Sequence, residues 1–386
     1  MTAIASPASV VYMIVGMHRS GTSSIGRLMQ NAGFDFGDNL LEGVDSINDR
    51  GFWEDRDVVA LDEHIFELYG SSWFDFERLP GKWWEDTKIK DLVGVAETWF
   101  HEGFSHERPI AVKDPRFCRL LPFWKRVFLG MGIRPHIIFV IRHPAEVAAS
   151  LKRRDGFSLQ LGYLLWLSYI IDGLYYSRNL DLTITDFESL LNKPEKSVSR
   201  LMMSDVAFTH GLTEAELVEL VKKSLDAESR HHKVSDVHSK GEVQGDVQSM
   251  AHELYEVLLN ATPDEAKSIA DKYRKRFYRL LDHHKEVLSA LQATVKKQVE
   301  ANQKLTEIGS GHSHALAVIH DKDKQLEENK DFIAKCLAEI GNKESQLALT
   351  QQELERSQTR VGEQEILNHK NNALWDRFEE LQGVVH

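Results

Sequence analysis

The 386-residue sequence predicts an α/β fold with a mainly parallel sheet flanked by helices, followed by a helical C-terminal extension. Three observations lead there. Short apolar runs that suit buried strands alternate with helical patterns over the first 280 residues. All nine prolines lie at or before Pro263, and seven of the eight tryptophans lie at or before Trp166. Residues 281–386 contain no proline and one tryptophan and are rich in Gln, Glu, Lys and Asn, so the composition break near 280 separates an expected domain, 1–280, from an extension, 281–386.

The elements follow in order. Val10-Val11-Tyr12-Met13-Ile14-Val15 is a β-rich run ending at Gly16. A helix follows, with Ile25, Leu28 and Met29 at i, i+3, i+4 spacing, and a second helix is expected over 54–69. Ile110-Ala111-Val112 is a short strand candidate before Lys113-Asp114-Pro115. Ile137-Ile138-Phe139-Val140-Ile141 is apolar throughout and ends at Arg142. Pro144 suits the first turn of the helix after it, where a missing N–H costs nothing, and Val147, Ala148 and Leu151 give that helix an apolar stripe. Residues 158–177 read as a long, mostly buried helix, and Leu182-Thr183-Ile184-Thr185 as a fourth strand. A polar loop is expected over 229–250, with helix resuming near 251.

Composition excludes several classes. A net charge of −12 argues against a general binder of nucleic acid or anionic membrane, though not against one local basic pocket. Two distant cysteines, Cys118 and Cys336, make neither a disulfide scaffold nor a multi-cysteine zinc site and point to a reducing, cytoplasmic setting. No apolar run reaches the roughly 18–20 residues a membrane span needs. No basic residue precedes the short N-terminal apolar run, so no signal peptide is expected.

The strongest motif is Gly16-Met17-His18-Arg19-Ser20-Gly21-Thr22-Ser23-Ser24, between a strand and a helix. Such an element aims backbone N–H groups and the positive helix end at an anion. Gly16 and Gly21 permit close approach, and Thr22, Ser23 and Ser24 add hydroxyl donors. A nucleotide-hydrolysing loop carries Lys directly after its second Gly. Here Thr22 follows Gly21 and the basic residue is Arg19. The strand at 137–141 ends in Arg142 rather than in an acidic Mg²⁺ ligand, so the loop is expected to take a phosphate without a metal. Arg142-His143-Pro144 followed by Ser150 supplies a second anion site: an Arg at a strand end forks onto phosphate oxygens, and a Ser two helical turns along reaches the same anion. Lys152, Arg153 and Arg154 add local positive potential.

These two motifs resemble those of sulfotransferases that use 3′-phosphoadenosine-5′-phosphosulfate (PAPS). Arg19-Ser20-Gly21-Thr22 looks like their 5′-phosphosulfate loop in its tyrosylprotein and bacterial branches, and Arg142 with Ser150 is similar to their 3′-phosphate signature. The segment from Asp186 through Leu191, with Pro194, resembles a family segment reading Arg-Tyr-Glu-Asp-Leu, with Phe187 replacing the Tyr and keeping only ring packing. Arg230-His231-His232-Lys233 lies where many members close a basic loop over the nucleotide; a solvated polar loop is the competing reading. The resemblance covers about residues 10–235 and implies a P-loop-like fold, PAPS as co-substrate with 3′,5′-ADP as product, and no metal. It implies cofactor contacts from Arg19, Ser20, Gly21, Thr22, Ser23, Ser24, Arg142, Ser150, Phe187 and Arg230.

For the chemistry, Arg19 and Lys113 are the expected cations; Ala111-Val112-Lys113-Asp114-Pro115-Arg116 resembles the Lys-Asp-Pro segment of the tyrosylprotein branch. A surface ion pair of Lys113 with Asp114 is the plain alternative. Gly51-Phe52-Trp53-Glu54 resembles a bacterial segment carrying an acidic residue near the acceptor, which makes Glu54 the expected base, with His18 or His64 behind it. The plain alternative for Glu54 is a helix cap. An aromatic-rich run from Trp53 to Trp99 suits sugar rings or a lipid-like acceptor, and equally suits core packing. The expected acceptor is a hydroxyl, or second an amine, of a glycan or glycolipid. The rival readings are a P-loop kinase or nucleotide hydrolase, and a coiled-coil scaffold with a degenerate nucleotide-binding domain.

In the extension, Leu326, Ile333, Ile340, Leu347, Leu354 and Val361 recur every seven residues, the period of a left-handed coiled coil. The second seam position is mostly polar: Lys330, Glu344, Gln351 and Gln358, with Leu337 the exception. A helical tail that pairs with another copy or docks the chain is expected, with the protein peripheral at a membrane where the acceptor is made; a loosely ordered single helix is the alternative.

Overall fold

The computed structural model describes residues 10–43, 51–105, 107–203, 213–224, 246–308, 329–346, 348, 350–351 and 356–359. Four strands, β1 (Val10–Val15), β2 (Ile110–Lys113), β3 (Arg134–Ile141) and β4 (Asp181–Asp186), form one parallel sheet in the order β2-β1-β3-β4. β1 is central because its Val, Ile and Met side chains are buried on both faces, which only a strand with neighbours and helices on every side can satisfy. The register pairs Ile14 with Lys113, Val15 with Phe139, and Ile141 with Asp186. All four strands therefore end at the same edge, and whatever follows them meets there.

The first half of the chain supplies helices α1 (Thr22–Asn31), α2 (Arg56–Leu68), α3 (Lys90–Gly103) and α4 (Phe117–Gly130). α5 (Pro144–Asp155) begins with Pro144 at its first position, as its sequence predicts. α6 (Leu159–Tyr176), capped by Ser158, is the buried helix expected over 158–177. α5 and α6 cross closely at Gly162, where a Cβ would come within 2.6 Å of Ala148 Cα. α7 (Phe187–Asn192), α8 (Pro194–Met203) and α9 (Glu214–Ser224) follow β4. α10 (Asp246–Asn260) starts within the stretch expected to be loop, so helix resumes at Asp246 rather than near 251; its Met250 and Leu254 are buried. Residues 225–245, and with them Arg230, lie outside the described residues.

α11 (Pro263–His283) opens with a capping box between Thr262 and Glu265 and runs straight through the composition break near 280. α12 (Lys285–Ile308) continues after it. Leu288, Leu291 and Val295 on α12 are buried, and Ser289, Gln292 and Gln298 bond Glu77, the Phe74 carbonyl and the Gly156 carbonyl. The chain divides into two compact units, Met1–Lys322 and Asp323–His386. Composition changes earlier because it registers the polar outer faces of α11 and α12, whereas one narrow apolar stripe decides where they pack. In the second unit, residues 329–346 are helical and carry Ile333 and Ile340 of the seven-residue repeat. Most other repeat positions, Leu326, Leu347, Leu354 and Val361 among them, lie outside the described residues.

Among the described residues, no single helix is long and apolar enough to cross a membrane.

Candidate functional site

The carboxyl ends of the four strands bring the sequence motifs together. β1 runs into Gly16, whose added Cβ would lie 2.5 Å from the Val140 carbonyl oxygen, so the loop presses against β3. Arg19 takes φ 67 and Gly21 φ 89, and this left-handed pair curls the backbone into α1. Gly21 is covered by the Phe187 ring: a Cβ there would meet Phe187 Cδ2 at 2.2 Å. The Ser20 hydroxyl is fully buried and has no hydrogen-bond partner.

The two anion motifs merge into one cluster. Arg19 Nε donates to Ser150 Oγ at 2.9 Å, and Arg142 Nη1 donates to the Arg19 carbonyl at 3.0 Å. Arg142 is held from three further sides. Its Nε donates to Glu146 one turn along α5 at 2.9 Å, its carbonyl accepts from Trp166 Nε1 at 3.0 Å, and its guanidinium lies 5.0 Å above the Phe187 ring. Phe187 follows Asp186, which caps α7 through Ser189 N and accepts from Tyr255 of α10 at 2.8 Å. Burial, with Arg154, Arg142 and Arg153 nearby, brings the Arg19 guanidinium down to about 10.

On the other side of the loop, Lys113 at the end of β2 is buried. Its Nζ donates to Glu54 Oε1 at 2.5 Å, to the Phe52 carbonyl at 2.8 Å and to Ser23 Oγ at 3.3 Å. Glu54 does not cap α2; Asp55 does, accepting from the N–H groups of Asp57 and Val58 and from Trp99 Nε1. Lys113 does not stand at the surface either, and Asp114 is taken by Arg116, whose Nη1 reaches both its carboxylate oxygens at 3.1 Å. Arg116 also bonds Glu63.

His18 and His64 part company. His64 is half-exposed and sits 4.0 Å from Glu67. His18 is buried in the loop, with ring centroids 4.6 Å from Trp73 and 5.8 Å from Tyr169. Burial first, then the charges of Arg116, Arg154, Lys113 and Arg19, hold its imidazole well below the ordinary value, which makes it a weak proton acceptor. The partly exposed Trp73 ring, next to His18, also has the Arg154 guanidinium over it at 5.2 Å. Most other aromatics of that run, Phe74, Phe76 and Trp83 among them, are core.

Sequence reasoning missed Trp166, Tyr255 and the Phe52 carbonyl. Only the Glu146 contact carried a local signal, the four-residue spacing from Arg142. Two acidic side chains do lie at strand ends, Asp114 and Asp186, but both are engaged by the partners given above. Among the described residues, no group of three or more His, Cys, Asp or Glu side chains is placed to hold a metal ion.

The fold and site define an α/β protein in which one strand–loop–helix element gathers guanidinium groups from two other segments. No family model matches the chain, and no curated protein matches it. Among solved structures it is similar to a sulfotransferase domain from the Synechococcus PCC 7002 olefin synthase, at 15% identity and a TM-score of 0.36, over 69% of this chain and 87% of that one. It is also similar to a sulfotransferase domain from the curacin biosynthetic pathway, at 16% identity and a TM-score of 0.34, over 69% of this chain and 98% of that one.

Proposed function

We propose that this protein is a sulfotransferase that moves the sulfuryl group of PAPS onto a hydroxyl, or second an amine, of a glycan or glycolipid. The observation that carries the reading is the crowding of guanidinium groups around one loop. Arg19 and Arg142 are joined through the Arg19 carbonyl, and Arg153 and Arg154 bear on Arg19. Like charges gathered in a half-dry site favour an anionic ligand. The buried Ser20 hydroxyl without a partner fits the same need.

The residues fit a ligand phosphorylated at both ends of a ribose. Arg19, Ser20, Gly21, Thr22, Ser23 and Ser24 would hold the 5′ end, Arg142 and Ser150 the 3′-phosphate, and Phe187 would pack against it. PAPS supplies a sulfuryl group joined to its 5′-phosphate through a bridging oxygen. Glu54 would take the proton of the acceptor hydroxyl as the acceptor oxygen bonds to sulfur. Lys113 and Arg19 would hold the negative charge left on the phosphate oxygen as its bond to sulfur breaks. Trp73, partly exposed beside the loop, would meet an acceptor sugar through its exposed part. The helical extension would pair copies of the chain or dock them where the acceptor is made.

Nucleotide titration of the full-length protein tests this. 3′,5′-ADP should bind far more tightly than 5′-AMP or ATP with Mg²⁺. Arg142→Ala should remove most of the preference over 5′-AMP, because a charge-assisted bond contributes about 1.5–3 kcal/mol. Equal affinity for 3′,5′-ADP and 5′-AMP, or a preference for ATP with Mg²⁺, would sink the reading. Transfer from labelled PAPS across a panel of glycans then identifies the acceptor.

A further inference from the structure

Trp53 has φ 55, a left-handed conformation that strains a bulky side chain. Its effect on its neighbours is specific. The Phe52 carbonyl and the Glu54 carboxylate flank it, and both accept from one ammonium group, Lys113 Nζ, at 2.8 and 2.5 Å. In an extended chain a backbone carbonyl lies in the plane of the strand, while the side chain two residues on stands out of that plane. The reversed φ at Trp53 turns these two toward the same cation.

The turn is held by α1, the helix that begins at the phosphate loop. Trp53 Nε1 donates to Gln30 Oε1 at 2.9 Å. Trp53 lies so close to Gly26 that a Cβ there would be 2.9 Å from its Cβ and 3.0 Å from its Cγ. Ser23 Oγ donates to the Phe52 carbonyl at 3.3 Å. Ser23, Gly26 and Gln30 stand at i, i+3 and i+7, one face of the helix. Three contacts from one helix face thus clamp a strained three-residue turn.

We propose that Trp53 and Gln30 are positioning residues whose indole–amide bond holds Glu54 against Lys113 and ties both to the phosphate-loop helix. The proposal rests on the sulfotransferase reading for its catalytic consequence, but its geometry does not depend on that reading. Removing the bond leaves the strain unopposed at one of its three supports. The turn then relaxes, and the carboxylate and the carbonyl no longer share Lys113.

The test uses full-length protein with ¹⁵N-labelled lysine, the Lys113 ammonium signal being assigned with Lys113→Arg. An ammonium held by three acceptors exchanges slowly and gives a sharp signal. Trp53→Phe keeps the ring and Gln30→Leu keeps the bulk; each should broaden or abolish the Lys113 signal. Gln30→Glu keeps an acceptor for the indole and should restore it. In turnover of PAPS, Trp53→Phe and Gln30→Leu should each lower kcat roughly 10- to 100-fold, the usual cost of a small misplacement, with 3′,5′-ADP affinity within about twofold of wild type. The double variant should be no worse than either single one. A Lys113 signal unchanged in both single variants overturns the proposal. So does an equal loss of melting temperature and nucleotide affinity in all variants, Gln30→Glu included. If the wild-type protein transfers no sulfuryl group, the sulfotransferase reading falls, and the lysine spectrum still decides whether the clamp holds the pair.

Discussion

The Lys113 ammonium has three protons and three acceptors: a carboxylate, a carbonyl and a hydroxyl, drawn from two other segments of the chain. A buried cation is tolerated only when its donors are all engaged, and here each partner also belongs to the site. Among the described residues Glu54 is the carboxylate bonded to it, and His18, the other candidate close to the loop, is held neutral by burial and by surrounding cations. Replacement of Glu54 by Gln keeps an oxygen for Lys113 but cannot take up a proton from an acceptor. Turnover of PAPS should fall roughly 10²–10⁴-fold in Glu54→Gln. Affinity for 3′,5′-ADP should hardly change, because the Arg19, Arg142 and Ser150 contacts do not include Glu54. Steady-state kinetics beside calorimetric titration separates the two effects; near-normal turnover would remove Glu54 from the role of base.

At the scale of elements, α2 and α4 meet across a buried acid. Asp62 of α2 is fully buried and accepts from Trp124 Nε1 of α4 at 2.8 Å through Oδ1, while Oδ2 has no partner. Burial, and next the Asp114 charge, raise the Asp62 carboxyl well above its ordinary range. Burial is also the main cause that pushes Asp114 up to about 6, against the pull of Arg116. Both acids therefore keep protons in the folded chain at pH values where the unfolded chain has released them. For these two groups the folded state binds more protons, so the stability they contribute is fully present below about pH 4, where unfolded aspartates titrate, and is lost as pH rises through the raised folded values. Asp62→Asn keeps Oδ1 for Trp124 and cannot ionise. Calorimetry at pH 4.5, 6 and 8 should show the melting temperature of the variant gaining on wild type as pH rises. A difference independent of pH would mean that this carboxyl is not the source.

For the whole molecule, the question is how much chain the site needs. On α12, Leu288, Leu291 and Val295 are buried while Ser289, Gln292 and Gln298 bond Glu77, Phe74 and Gly156, and burial of an aliphatic side chain contributes about 1.5–3 kcal/mol. A chain ending at Lys322 should therefore melt cooperatively and bind 3′,5′-ADP like the full-length protein, with a smaller subunit number by light scattering if the extension pairs copies. A chain ending near 280 cuts α11 within its last turn and removes α12. It should melt at a clearly lower temperature. Equal melting temperatures for the two truncations would show that α12 adds nothing to the first unit. An unchanged subunit number in the longer one would take the extension out of assembly.

The local sequence determined the strands, the loop and the helix starts, because each depends on residues within one or two turns: β-branched runs, Gly16 and Gly21, Pro144 at a first helical position, Ser158 as a cap. The resemblance carried by its motifs also named Arg19, Glu54, Lys113, Arg142, Ser150 and Phe187 as candidates. The sequence did not show that Arg19 reaches Ser150, that Lys113 reaches Glu54, or that Phe187 covers Gly21. Those contacts join residues far apart in the chain, and only parallel strands ending at one edge bring them together. The strained turn at Trp53 was equally hidden, since a Trp gives no local sign of positive φ; the strain exists because α1 packs there. Composition placed the break near 280, while packing carried the first unit through α12, because one apolar stripe in three helical turns scarcely alters composition yet decides which surface a helix covers.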